Sequence, residues 1–263
     1  MPSKQIFTWL TQLTSNQAIS KSVGRLAKSK ISRKWIPSFA KAYNIPVEEA
    51  ELAMGEYPSL NAFFTRRLKP GARPIDAKAN SIVSPVDALI TACGYMEDGK
   101  LLEVKGQTYS LAELVNHHPR MEAFQSGYFY VLYLSPRDYH RIHVPVDGVL
   151  AETEEIAGRV FPVNHASMTN IRHVLSRNYR VISYLEHPAG QVGVVKVAAL
   201  NVASIQFVDE VAPSKQLVKG DELAYFEFGS TIVLLLEQGT YEPDAAVGIG
   251  SRVKMGERLG TWR

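Results

Sequence analysis

Three residues in a run of strand formers could do chemistry: Gly229-Ser230-Thr231, inside "FEFGSTIVLLLE" (226–237). The flanks read as a buried strand, and glycine within such a pattern marks a bulge, a bend or a close backbone approach. A bare Gly-Ser-Thr occurs by chance in about one chain in fifteen of this length, so its weight depends on what else the chain supplies. Histidine is the natural base, and "YHRIHVPVD" (139–147) places His140 and His143 three residues apart. In a helix or turn that spacing puts both rings on one face, in a strand on opposite faces. Capped surface histidines or a metal pair are the alternatives. A metal needs a third ligand, and the chain has neither an HExxH nor a Cys/His set. Asp87 and Asp147 each sit in a Pro-Val-Asp turn, where an aspartate commonly bonds its own backbone. Acid, histidine and serine together are the parts of a nucleophile, base and orienter. This serine, however, follows a glycine in mid-strand and is not on a GxSxG elbow. The carbonyl nearest its hydroxyl is that of Gly229, and glycine permits the unusual dihedrals such an approach needs. The expected chemistry is self-processing, with Ser230 attacking its own preceding peptide bond while a histidine takes the proton.

The elements that must position these groups are mainly strands. From Ile82 onward short β runs alternate with glycine and proline, among them "LITACGYM", "YFYVLYL", "GVLAETEEI", "YRVISYLE", "VGVVKVAAL" and "STIVLLLE". Many short strands at this spacing suggest a sandwich or barrel. Two echoes refine this: "SPVDALI" (84–90) with "VPVDGVL" (144–150), and "VKGDELAYF" (218–226) with "VKMGERLGTW" (253–262). Each is a turn feeding a strand, similar to the pseudo-twofold hairpins of lipoyl- and biotinyl-carrier sandwiches, although no lysine stands in the Met-Lys-Met arrangement those carriers modify. Residues 38–68 read as helical and are ended by Pro70, Gly71 and Pro74. The expected fold class is α+β. N-terminal amphipathic helices (1–55) precede a mainly antiparallel β domain (56–263) resembling a barrel-sandwich hybrid.

Charge is unevenly placed. The net charge is +3, yet the eight cations from Lys4 to Lys41 precede the first acid, Glu48, so the rest of the chain carries 3 − 8 = −5. Ile6, Trp9, Leu10 and Leu13 share one helical face, as do Ile19, Val23, Leu26, Ala27 and Ile31, which predicts two amphipathic helices over 4–34. Without acids, and with Phe7 and Trp9 on the apolar side, they read as interfacial membrane helices more than as packing helices with solvated lysines. A nucleic-acid arm fits less well, because the aromatics lie with the aliphatics and not among the cations. The longest clean apolar run, "YFYVLYL" (128–134), is far short of a span, and neither a membrane-spanning nor a secreted chain is expected. One cysteine, Cys93, excludes an intramolecular disulfide.

The chain resembles the phosphatidylserine decarboxylase family of pyruvoyl enzymes. The resemblance runs through "FFTRRLKPGARPI" (63–75), "SPVDALI", "LSPRDYHRIHVPVDGVL" (134–150), "FPVNHASMTNIRHVLSRNYRVI" (161–182) and "VKGDELAYFEFGSTIVLL" (218–235). It implies a precursor that cuts itself between Gly229 and Ser230 into chains 1–229 and 230–263, leaving Ser230 as a pyruvoyl group. Asp87, His143 and Ser230 match the family's processing triad, and His140 the histidine of decarboxylation and protonation. The pyruvoyl ketone would form a Schiff base with phosphatidylserine and release carbon dioxide and phosphatidylethanolamine, without metal or pyridoxal phosphate. Asn164, His165, Arg66 and Arg67 become headgroup candidates by motif position alone. Phe228, Ala224, Tyr225, Ala88, Ala198 and Ala203 depart from the family's commonest residues, and none removes a reacting group. The expected partners are phosphatidylserine and anionic lipid, with no nucleic acid and homodimerisation left open. The expected location is peripheral, on the cytoplasmic side of the cell membrane. A pyruvoyl decarboxylase of a soluble amino acid and an inert membrane-binding module are the rival readings.

Overall fold

The computed structural model describes residues 24–104, 107–163, 168, 171–199, 205–208, 211–227 and 230–263. The expected first amphipathic helix, with Phe7 and Trp9, lies outside them. Residues 24–28 are helical, a 3-10 turn follows over Lys30–Trp35, and helix α1 spans Ile36–Tyr43. Asn44 closes α1 in the left-handed region (φ 52), the usual way for a helix to stop. Helix α2, Leu60–Phe64, starts where the Ser59 hydroxyl accepts from the Ala62 N–H at 3.2 Å. The helical reading of 38–68 therefore holds only in pieces. Pro46 and Pro58 bias the residues before them away from helix, and single 3-10 turns fill the interval. Ile36, Phe39, Tyr57, Leu60, Phe63 and Phe64 nevertheless bury one another in a single cluster.

The strands run in chain order from β1 (Ser81–Val83) and β2 (Ala88–Tyr95) to β3 (Lys100–Val104) and β4 (Gln107–Ser110). Next come β5 (Tyr128–Leu134), β6 (Arg141–His143), β7 (Gly148–Ile156), β8 (Arg180–His187) and β9 (Gly190–Ala198). The last are β10 (Ile205–Phe207), β11 (Gln216–Leu217), β12 (Glu222–Phe226), β13 (Ser230–Leu236), β14 (Tyr241–Pro243), β15 (Arg252–Val253) and β16 (Arg258–Trp262). The strand ladders are antiparallel, in an eight-stranded sheet ordered β11-β7-β8-β9-β13-β5-β2-β15, two three-stranded sheets, β1-β16-β14 and β10-β12-β6, and the β3-β4 hairpin. The α+β class and the antiparallel pairing are as the sequence predicts. The large sheet does not close into a barrel and ends on the short edges β11 and β15.

Strand β13 lies at the centre of that sheet with every residue buried. This is why "STIVLLL" reads as a continuous apolar run and does not alternate. Ile232, Leu234 and Leu236 face one core, while Val233 and Leu235 face the other.

The two sequence echoes are a structural duplication. The Val83 N–H donates to Pro145 O (3.0 Å), and its counterpart, the His143 N–H, donates to Pro85 O (2.8 Å). Ser84 N to Glu257 O matches Val144 N to Asp221 O, both 2.8 Å. Gly256 N to Ser84 O (3.0 Å) matches Gly220 N to Val144 O (2.8 Å). Both glycines have positive φ, 87 and 94, a conformation that penalises a Cβ. The turn aspartates obey the same symmetry: Asp87 Oδ1 accepts from Met255 N at 2.9 Å, and Asp147 Oδ1 from Lys219 N at 2.8 Å. The three-stranded sheets correspond strand for strand, with β1, β16 and β14 matching β6, β12 and β10.

Candidate active site

Ser230 is the first residue of β13 and is held on both sides, opposite Leu134 of β5 and Ala198 of β9. Directly opposed residues share a sheet face, so its side chain lies on the face of Ala198, Leu134 and Ile232, above the core that β12 and β6 also line. It is 0% exposed, and among the described residues its Oγ has no hydrogen-bond partner. A buried hydroxyl without a partner costs about 1–3 kcal/mol, so the fold retains it against stability. Gly229 and Phe228 lie outside the described residues.

His140 precedes β6 and is fully buried, its ring centroid 4.0 Å from that of Phe64. Its Nδ1–H donates to Asp138 O at 2.9 Å, which fixes the tautomer and leaves Nε2 as a lone pair. That Nε2 is buried and has no partner. Burial pulls the ring's pKa down to about 3, against the Asp138 carbonyl bond and with help from the Arg66 charge, so it is neutral at physiological pH. The backbone O of His140 accepts from Phe226 N at 2.9 Å, which ties this loop to β12 just upstream of Ser230.

His143 ends β6. Its Nδ1–H donates to Gly220 O at 2.7 Å and its Nε2 accepts from the Tyr139 hydroxyl at 3.0 Å. Burial lowers its pKa as well, while Asp87 and Glu222 act to raise it. The two histidines thus differ in kind, one with an open lone pair and one with both nitrogens engaged.

Asp87 is buried and bidentate to Arg73, through Nε to Oδ1 (2.9 Å) and Nη2 to Oδ2 (2.5 Å). Arg73 also reaches Glu49 at 2.7 Å. The His143 N–H to Pro85 O bond ties β6 to the turn that carries Asp87, whose charge acts on the His143 ring. Among the described residues, no hydrogen bond joins Asp87 to the His143 ring, or either histidine to Ser230.

Of the headgroup candidates, Asn164 and His165 lie outside the described residues, and Arg67 is a half-exposed partner of Glu222 at 3.4 Å. Arg66 is 2% exposed and reaches only Arg137 O, at 3.3 Å through Nη2.

Two features escape the sequence reading. Lys196 of β9 is fully buried on the Ser230 face, with Nζ 2.8 Å from Ser183 Oγ, and burial pulls its pKa to about 7. A lone lysine inside "VGVVKVAAL" was the available signal. Buried Glu227, three residues before Ser230, pairs with Lys28 at 2.7 Å, a link between distant segments that no spacing reveals.

Fold and site together define an enzyme core in which the reactive type of hydroxyl is enclosed by a sheet instead of being displayed on a loop. The family model described as phosphatidylserine decarboxylase matches residues 60–261. Phosphatidylserine decarboxylase proenzyme of Geobacillus kaustophilus (strain HTA426) is 39% identical over 259 residues, covering 98% of this chain and 97% of that protein. The proenzyme of the same name from Anoxybacillus flavithermus is 40% identical over 257 residues, covering 98% and 96%. The chain belongs to the phosphatidylserine decarboxylase family.

Proposed function

We propose that the chain is a self-processing precursor, cut between Gly229 and Ser230, whose mature form decarboxylates phosphatidylserine to phosphatidylethanolamine in phospholipid biosynthesis. The observation that carries this reading is the unpartnered, fully buried Ser230 hydroxyl at the head of a strand paired on both sides, in a chain of this family. In the cut, Ser230 Oγ adds to the Gly229 carbonyl carbon as His143 Nε2 takes its proton, exchanging the Tyr139 hydroxyl for Ser230. The amide becomes an ester, and loss of the Cα proton expels the Gly229 carboxylate. Water then releases the nitrogen as ammonia and leaves a pyruvoyl group on chain 230–263. The site fits such a group, because its place is the Ser230 position, held by β5 and β9 whether or not the preceding bond is intact.

When formed, that ketone supplies an electron sink for the pair released with carbon dioxide. His140 is assigned the proton transfer of decarboxylation: its unpartnered Nε2 would deliver a proton to the carbon that carbon dioxide has left, once the substrate's anionic groups beside the ring favour its protonated form. Intact mass of the purified protein and release of carbon dioxide from carboxyl-labelled phosphatidylserine test the reading. A single uncut chain without release would overturn it.

Asp87 is assigned the orienting role and Asp147 that of a turn residue. Asp87→Asn will slow maturation markedly and lower the melting temperature, since it also removes a counter-charge from buried Arg73. Asp147 is exposed, and Asp147→Asn will change neither. Maturation time courses on denaturing gels, beside thermal melts, check this; equal slowing by both substitutions would remove the distinction.

Attachment to the membrane is assigned to the N-terminal region, on the cytoplasmic side. Leu26, Ile31 and Trp35 are 45%, 64% and 40% exposed, among exposed Arg25, Lys30, Arg33 and Lys34. Each cation near an anionic surface contributes roughly 1 kcal/mol. Full-length protein will float with phosphatidylglycerol vesicles, less at high salt, and protein beginning at Ile45 will not. Equal flotation of the two would move the contact elsewhere.

A further inference from the structure

Arg66 has more binding capacity than the fold uses. Its guanidinium is buried, and among the described residues both Nε and Nη1 lack a hydrogen-bond partner. A buried cation short of acceptors is among the costlier features a fold can carry, and burial depresses its pKa. The guanidinium stacks 5.4 Å from the centroid of Phe63, and its one bond reaches the Arg137 carbonyl in the loop that carries His140. His140 Nε2 is another unpartnered buried atom, and the Arg66 charge acts on that ring.

We propose that the second N–H of Arg66 Nη2, together with the unpartnered Nε or Nη1 beside it, binds the phosphodiester of the substrate headgroup and so holds the serine moiety beside His140. This rests on the decarboxylase reading above. Nη2 has two N–H groups and Arg137 O takes one, so the other still forms, with its neighbour on that side, the fork that matches two oxygens of a phosphodiester. The substrate's other anion, its carboxylate, is the poorer ligand. The carboxylate's charge passes into the electron sink as neutral carbon dioxide leaves, so holding it in the ground state opposes the reaction, whereas the phosphodiester keeps its charge throughout. Arg66 therefore works as uniform binding, read in KM more than in kcat.

The test uses full-length wild type, Arg66→Gln and Arg66→Lys, with soluble dihexanoyl-phosphatidylserine. Arg66→Gln will mature into two chains, melt no lower than wild type, and raise KM about 10–100-fold with little change in kcat. Arg66→Lys, which keeps the charge but not the fork, will fall between. In the Ser230→Ala precursor, calorimetric titration will detect glycerophosphoserine, and adding Arg66→Gln will weaken that binding by a similar factor while leaving free serine unaffected. An unchanged KM overturns the proposal, and so does a lowered melting point with lost maturation in both variants, which marks a structural role. Inorganic phosphate binding as tightly as glycerophosphoserine would make this a free-phosphate site and overturn the headgroup assignment. If wild type neither cuts itself nor releases carbon dioxide, the decarboxylase reading fails alone, and the titration still decides what Arg66 binds.

Discussion

Ser230→Ala will leave the protein as one chain of 263 residues and abolish decarboxylation, without unfolding it. Wild type will separate on a denaturing gel into chains 1–229 and 230–263, the shorter being 263 − 229 = 34 residues. The shorter chain will resist Edman degradation, since a pyruvoyl terminus has no free amine. The effect on activity is total because the substitution removes both the attacking atom and the precursor of the reacting group. The effect on stability is small for a separate reason. Ser230 Oγ has no partner to lose among the described residues, and deleting an unsatisfied buried hydroxyl is neutral or stabilising, by at most the roughly 1–3 kcal/mol its burial costs. A normal serine readout at the head of a 34-residue fragment would remove the pyruvoyl claim. An uncut wild type would remove the processing claim with it.

His140→Ala will mature but turn over about 10²–10⁴-fold more slowly, the range expected when a positioned proton donor is lost. His143→Ala will stay as the uncut precursor. His140 has an open Nε2 in a buried, neutral ring, suited to moving a proton repeatedly. His143 has both nitrogens engaged and sits beside the Asp87 turn, suited to a step needed once. Thermal melts must accompany both, because deleting either buried ring leaves a cavity, and His140 also loses its packing against Phe64. An uncut His140→Ala beside a matured His143→Ala would reverse the two roles.

The parts of the site that were legible in the sequence were those whose causes are local. The apolar run after Ser230 announced a strand buried on both faces. Repeated Pro-Val-Asp and Val-Lys turns announced the duplication, because the same backbone bonds recur at Asp87 and Asp147. The partners of the charged groups were not legible. Arg73 reaches Asp87 from fourteen residues away and Lys28 reaches Glu227 from the far end of the chain. Such pairs are set by packing, which leaves no periodic trace. Spacing could not tell His140 from His143 either, since one lies just outside β6 and the other within it. The helical expectation over 38–68 exceeds the helices that form, because Pro46 and Pro58 interrupt the stretch.

The twofold repeat carries a consequence for ancestry. Val83 is the counterpart of His143, and Asp147 the counterpart of Asp87. Each copy of the hairpin thus holds one member of the pair proposed for the cut and carries an inert residue or a plain turn residue at the other position. Reciprocal backbone bonds between the two copies bring the turn that carries the carboxylate of one against the strand that carries the imidazole of the other. A scaffold that looks symmetric consequently holds a single reaction centre, as a duplicated gene does once its copies have divided the labour and neither can work alone.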